Sequence, residues 1–294
     1  QWTQDSKSIV FVAADSLPDA LEAEQKKGAD AIFVDEGPNG QTRGSWNDLW
    51  KIDVDSKEIT RVTEGEHRIG SFDVSPDMRR IAYTARTENR RNQSNRSEIH
   101  LLDVATGEVR TLTENQAPEG RLTWAPDSRR LAYEAPSDGE WELRLDKIWI
   151  ADVESGNKEL VSAAYDGNIR NFVWSPDGSA ILFSGLQGTD NNLFRLDVAS
   201  GAVEKVTEAT GSLAPASFSR DRTRMAYVFQ DWDTPPDLWA GPTNGGEGTR
   251  LTDANPWIAE EIALAMWRVM QWESSDGVEI EGILAVPVGD DADP

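Results

Sequence analysis

Acyl transfer by a Ser-His-Asp triad needs an imidazole, and the chain offers only His67 and His100. His67 falls in a loop just before the inner strand of a repeat unit described below, and His100 alternates within a strand, so both read as structural. No G-x-S-x-G elbow occurs anywhere in the sequence. No P-loop or dinucleotide glycine pattern occurs either, and TNGGEGTR (243–250) reads as a hairpin turn before a last strand. The absence of Cys removes thiolate nucleophiles, thiolate metal sites and disulfides. Asp53-Val54-Asp55 lacks the glycine and terminal Glu of a calcium loop, and Asp290-Asp291-Ala292-Asp293 reads as a solvated loop. The sequence assigns no catalytic residue, metal ligand or cofactor within these boundaries.

One local reversal of charge stands out. The segment 86–96 carries four arginines, Arg86, Arg90, Arg91 and Arg96, in an acidic chain. Guanidinium groups suit capture of a carboxylate on a substrate or an adjoining domain, which makes these the candidate substrate-binding residues. The plainer reading is a loop whose charges pair with nearby acids. Trp232, Trp257, Trp267 and Trp272 suit either a peptide pocket or a domain interface. For Trp267 and Trp272 the interface is the preferred reading.

These residues are positioned by an internal repeat. Five segments align on Asp5, Asp77, Asp127, Asp177 and Asp221. Three residues earlier stand Trp2, Val74, Trp124, Trp174 and Phe218; four later, Ile9, Ile81, Leu131, Ile181 and Met225; six later, Phe11, Tyr83, Tyr133, Phe183 and Tyr227. A strand, a tight turn such as Ser175-Pro176-Asp177-Gly178 and a second strand follow from that pattern. The +4 and +6 side chains share one face by the two-residue period. Burial of each aromatic there contributes roughly 1.5–3 kcal/mol.

Third strands recur as LWKIDV (49–54), IHLLDV (99–104), IWIADV (148–153) and LFRLDV (193–198), with LWAGPT (238–243) as a degenerate copy. Fourth strands follow at ITRVT (59–63), VRTLT (109–113), VEKVT (203–207) and TRLT (249–252). Four strands per unit, with Asp-to-Asp spacings of 72, 50, 50 and 44, predict β-propeller blades rather than a sandwich. The long connections, 12–48, 84–98, 134–147 and 228–237, all join second to third strands, so they emerge on one face, the candidate functional face. The first holds a predicted short helix within 15–28, with Pro18, Asp19 and Glu22 early and Lys26, Lys27 and Gly28 late. After Thr252 the pattern changes to a short helix from Asn255-Pro256 to about residue 265, then a hairpin of MWRVMQWES (266–274) and VEIEGILAVPVG (278–289).

Composition narrows the function classes. Twenty-nine basic against fifty-two acidic residues leave a formal charge of −23, which repels phosphates and argues against nucleic acid. No apolar run reaches the ~20 residues of a membrane-spanning helix. Twelve Trp argue against a disordered acidic chain. The start, QWTQDSKSIVF, shows neither an initiator Met nor a signal core, so the true start is expected upstream. The compartment, cytoplasmic or periplasmic/secreted, and the oligomeric state stay open.

The W-S-P-D-G-x-x-I-x-F unit resembles TolB-like propeller repeats. Three stretches more specifically resemble prolyl-oligopeptidase-family serine peptidases of the acylaminoacyl-peptidase/dipeptidyl-peptidase-like branch. These are 23–54, 218–256 and WESSDGVEIEGILAVP (272–287), the last similar to the start of that family's α/β-hydrolase domain. The resemblance implies a propeller over a catalytic cleft that admits short peptides, a Ser-Asp-His triad downstream of Pro294, and no cofactor. The expected fold is therefore all-β. A β-propeller of four-stranded blades at 1–254, about five present from about seven in the parent, precedes a linker and first hydrolase hairpin at 255–294. The expected partners are a peptide substrate and the chain's own C-terminal hydrolase domain, with no nucleic acid or membrane. This segment alone is expected to be inactive. The alternative is a non-enzymatic TolB-like propeller that binds a protein or peptide.

Overall fold

The computed structural model describes residues 1–16, 19–28, 46–88, 95–115, 117–138, 141 and 144–286. The chain divides into two compact units, Gln1–Leu160 and Val161–Pro294.

In the first unit, β1 (Ser8–Ala14), β2 (Asn47–Asp53) and β3 (Ile59–Arg61) form one antiparallel sheet. Helix α1 (Asp19–Lys26) lies between β1 and β2, with Asp19 and Glu22 in its first turn and Lys26 in its last, and Lys26 pairs with Glu22 at 2.7 Å. The helix expected from the charge pattern is therefore present. A second sheet contains β4 (Arg68–Val74), β5 (Arg80–Arg86), β6 (Glu98–Asp103) and β7 (Val109–Thr111). A third contains β8 (Leu122–Trp124), β9 (Arg130–Pro136), β10 (Asp146–Asp152) and β11 (Lys158–Leu160). The strand β11 has no counterpart among the predicted fourth strands, because Lys158-Glu159-Leu160 lacks the V-T/L-T ending that marks the others.

In the second unit, β12 (Asn168–Trp174), β13 (Ala180–Gln187), β14 (Asp190–Asp197) and β15 (Val203–Lys205) form a blade. Its neighbour contains β16 (Ser212–Phe218), β17 (Arg224–Gln230), β18 (Asp237–Pro242) and β19 (Thr249–Arg250). One parallel pairing, Asn191 with Ser212, joins the two into an eight-stranded sheet. After α2 (Pro256–Glu261), β20 (Met266–Glu273) and β21 (Glu279–Val286) form the predicted hairpin; residues 287–289 of that prediction lie outside the described residues. The helix α2 is shorter than expected. Asn255 gives it no side-chain cap, Ile262 is already extended, and Glu260 and Glu261 put negative charge at its negative end.

Tight turns explain the repeat. Ser75 Oγ donates to Asp77 Oδ1 at 2.7 Å, Asp77 Oδ1 accepts from the Arg79 N–H at 3.1 Å, and the Arg80 N–H donates back to Ser75 Oγ at 2.9 Å. Ser175/Asp177 and Ser219/Asp221 repeat the arrangement. The next residue must adopt a left-handed backbone, with φ of 57° at Ser6, 60° at Met78, 56° at Ser128, 69° at Gly178 and 58° at Arg222. Only Gly178 does so without a steric penalty. The Asp that ends β2, β6 and β10 closes the next turn. Asp53, Asp103 and Asp152 each take two backbone N–H groups and a hydroxyl on one oxygen. That use of Asp53 accounts for Asp53-Val54-Asp55 without a metal.

The core lies between successive sheets of each unit. Ile69, Ile81, Tyr83 and Leu102 pack against Val10 and Leu49; Ile99 and Leu101 pack with Trp124, Leu131 and Tyr133. In the second unit Leu182 and Leu193 meet Leu213, Met225 and Tyr227. The aligned Trp124 and Trp174 are buried, whereas Trp2 is 55% exposed and holds a single bridge to Ile9.

Candidate functional site

In four of the blades a residue near the start of the third strand and a Thr two residues beyond the fourth strand meet at the end of the blade that carries the long connections. Thr63 Oγ1 accepts from the Leu49 N–H at 2.9 Å and donates to Asp48 Oδ1 at 2.7 Å. Thr207 repeats this with Leu193 and Asn192, and Thr252 with Leu238 and Asp237. Thr113 Oγ1 accepts from the Ile99 N–H at 2.7 Å. This latch was missed from sequence, although the V-T and L-T endings were visible. The signal is a polar residue directly before each third-strand L-W, I-H or L-F pair.

Charge accumulates around the latches. Asp48 receives Arg61, which also reaches Asp15 at 3.0 Å, and His67 Nε2 lies 2.9 Å from Asp48 Oδ1 without a linear N–H approach. Burial works to raise the Asp48 carboxyl, but Arg61, Thr63 and His67 outweigh it and hold the group below its ordinary range. Asp237, bonded by Thr252, Arg250 and the Ala254 N–H, is held down to about 2. The third blade shows the opposite case: burial, with Asp146 beside it, pushes Glu134 up to about 7.

Neither imidazole is poised for acyl transfer. His67 Nε2 faces the Asp48 carboxylate rather than a hydroxyl, and His100 Nδ1 meets the Thr111 hydroxyl at 3.4 Å. The His100 ring lies 5.4 Å from Tyr83, and burial followed by the neighbouring His67 lowers its pKa. Among the described residues no group of three or more His, Asp or Glu could hold a metal.

Of the arginine candidates, Arg86 ends β5 directly opposite Arg68 of β4. Burial and that second guanidinium both lower its pKa. Arg96 is exposed two residues before β6. Arg90 and Arg91 lie outside the described residues, as do the four residues Asp290 to Asp293. The tryptophans divide. Trp232 and Trp267 line one cavity of about 280 Å³ with Gly211, Gln230 and Ile283. Trp257 and Trp272 are exposed and take no part in it.

The hairpin β20–β21 is held to the fourth blade by Glu281, whose Oε1 accepts from the Thr189 N–H at 2.7 Å and the Thr189 hydroxyl at 2.9 Å. Met266, Trp267, Val269, Met270, Trp272 and Ile283 nevertheless stay exposed on it. An apolar surface of that kind marks an interaction face.

No protein-family model matches the chain. It is 23% identical over 137 residues to dipeptidyl-peptidase 5 of Porphyromonas gingivalis, covering 47% of this chain and 20% of that protein. It is 28% identical to the uncharacterized peptidase YuxL of Bacillus subtilis, over 97% of this chain and 47% of that protein. The chain thus spans from a fifth to about half the length of these curated relatives. In structure it superposes on acylaminoacyl peptidase of Pyrococcus horikoshii with a TM-score of 0.67 at 20% identity, covering 97% of this chain and 42% of that one. It superposes on TolB of Acinetobacter baumannii with a TM-score of 0.58 at 18% identity, covering 95% and 61%. These structural likenesses carry the fold, which is that of a β-propeller. The expected resemblance is borne out: the homologues of this chain include peptidases of the prolyl-oligopeptidase type, with TolB propellers among its structural neighbours.

Proposed function

We propose that this chain is the substrate-gating propeller segment of a serine peptidase that hydrolyses short peptides, acting with an α/β-hydrolase domain that β20–β21 begin. The observation that carries this reading is the hairpin itself. It is anchored to a blade through Glu281 and Thr189, yet presents Met266, Trp267, Val269, Met270 and Trp272 to solvent, an apolar face suited to a further domain. In this reading the propeller orients and admits peptides, and the Ser, Asp and His lie beyond Pro294. The arginines Arg86, Arg90, Arg91 and Arg96 would meet a substrate or domain carboxylate. The boundary between propeller and hydrolase hairpin falls at 254/255.

A second reading, a non-catalytic propeller that binds a peptide or protein, draws on the structural likeness to TolB. One experiment separates them. The 294-residue chain and the chain extended by its downstream coding sequence are assayed with aminoacyl- and acylaminoacyl-nitroanilides and labelled with a fluorophosphonate. Turnover and labelling are expected of the extended chain alone. Turnover by the shorter chain would end the first reading. An extended chain without a fluorophosphonate-reactive serine leaves the second.

A further inference from the structure

The latch of the second blade differs in one respect from the two others that are built on an acid, those of the first and last blades. In the first and last blades the acid at the start of the third strand has an arginine two residues before the latch Thr: Asp48 with Arg61, and Asp237 with Arg250. The strand register makes the positions equivalent, since Trp50 pairs with Arg61, Trp239 with Arg250 and His100 with Thr111. The acid of the second blade is Glu98, and the position of the arginine is taken by uncharged Thr111.

A second carboxyl has been added instead. Asn115 joins the two acids: its backbone N–H donates to Glu98 Oε1 at 2.9 Å and its Nδ2 donates to Glu119 Oε1 at 2.6 Å. The Glu119 N–H is fixed on Ser97 O at 3.1 Å. Glu119 is 3% exposed, its carboxyl lies beside the Thr113 hydroxyl and the Glu98 carboxyl, and the oxygens Glu98 Oε2 and Glu119 Oε2 are both buried with no hydrogen bond of good geometry. Two adjacent buried carboxylates are costly unless a shared proton or a cation joins them.

Glu119 also lines a cavity of about 250 Å³ with Ala117, Tyr133, Ala135, Pro136 and Trp149. Lys158 stands on the same wall, but its Nζ is directed to Gly156 O at 3.4 Å. Asp138 is also there, with Arg144 at 3.8 Å. The chemistry is that of an acid at the end of an apolar, aromatic chamber. A metal ion would want more ligands than two carboxyls, and no third His, Asp or Glu joins them among the described residues. An organic ammonium fits better, its N–H donors meeting the carboxyl oxygens and its body lying against aromatic faces.

We propose that Glu98 and Glu119 bind the ammonium group of a small organic amine whose apolar body occupies the cavity beside Tyr133 and Trp149. The site supplies from outside the cation that Arg61 and Arg250 supply in the other two blades. It does not depend on the peptidase reading. Burial, with Glu98 beside it, pushes Glu119 up to about 8, so at neutral pH the empty pair holds a proton that an incoming ammonium displaces.

The test is calorimetric titration of the 294-residue chain with benzylamine at pH 7, in phosphate and in HEPES, which differ in ionisation enthalpy. Benzyl alcohol, KCl and CaCl₂ serve as separate titrants. Saturable benzylamine binding is expected, with a buffer-dependent enthalpy that reports proton release and no binding of benzyl alcohol. Glu119→Gln should weaken it by about tenfold or more. Thr111→Arg, which introduces the arginine of the first and last blades, should abolish amine binding and raise Tm, so the test survives if Glu119→Gln fails to fold. Absence of benzylamine binding, unchanged binding in Thr111→Arg, or binding of K⁺ or Ca²⁺ in place of the amine would each overturn the proposal. In the first case the two carboxyls simply share a proton.

Discussion

Glu281 and Thr189, 92 residues apart, are joined by two hydrogen bonds to one carboxylate oxygen, while Gln271 Nε2 holds the other oxygen at 2.9 Å. The contact depends on Gly188, whose φ is +60° and where a Cβ would approach Glu281 Oε1 to 2.3 Å. Glu281→Ala is expected to free the hairpin from the blade. Amide exchange over 266–286 should accelerate by about tenfold, the equivalent of one charge-assisted hydrogen bond, with the first unit unaffected. Unchanged exchange would mean that apolar packing alone holds the hairpin.

The titration pattern sets a stability optimum on the acid side of neutrality. Asp152, Asp177, Asp221 and Asp237 are held down to about 2, chiefly by hydrogen bonds from neighbouring hydroxyls and N–H groups. Depressed carboxyls stabilise the fold above their unfolded pKa, near ~3.9, and that contribution disappears as pH falls through about 2. Glu134 and Glu119 are raised, to about 7 and about 8. Their contribution is complete below the unfolded value near ~4.3 and is lost as pH rises through about 7 to 8. Self-repulsion from a net charge of −23 adds to the alkaline loss. Tm is therefore expected to be higher at pH 5 than at pH 8, and to fall steeply below pH 3. A scanning-calorimetry series in which Tm rises from pH 5 to pH 8 would contradict the burial of Glu119 and Glu134.

The left-handed turn position offers a paired mutational check. Met78 at φ 60° and Gly178 at φ 69° occupy the same place in two copies of the turn. Met78→Gly should stabilise by about 0.5–1 kcal/mol, and Gly178→Ala should destabilise by about 1 kcal/mol. Denaturant midpoints measure both. The same sign for the two substitutions would rule out backbone conformation as the controlling factor.

The blade repeat was legible because its determinants are local. A small residue, an Asp two positions on and an apolar pair at +4 and +6 lie within about one turn and one strand, and each acts within that distance. The latch was less legible, since Thr63 and Asp48 are 15 residues apart and meet only after the third and fourth strands pair. Fourth strands are shorter than the sequence pattern predicts for the same reason: the final Val-Thr of ITRVT leaves the ladder at Arg61 so that Thr63 can turn its hydroxyl inward. The pairing of Arg68 with Arg86 and the joining of Glu98 to Glu119 through Asn115 likewise have no signature in spacing. Trp232 and Trp267 could be marked as outside the repeat, but not as walls of one cavity.

The outermost strands are very short: β3, β7, β11 and β15 have three residues and β19 has two. Because a threonine hydroxyl takes over from the ladder beyond β3, β7, β15 and β19, the outer edge of each of those blades finishes in a margin too brief to template a foreign polypeptide. The polar clasp thereby doubles as protection against edge-to-edge aggregation. Lengthening any of those margins by two alternating apolar residues should bring on fibril growth before it brings any loss of native order.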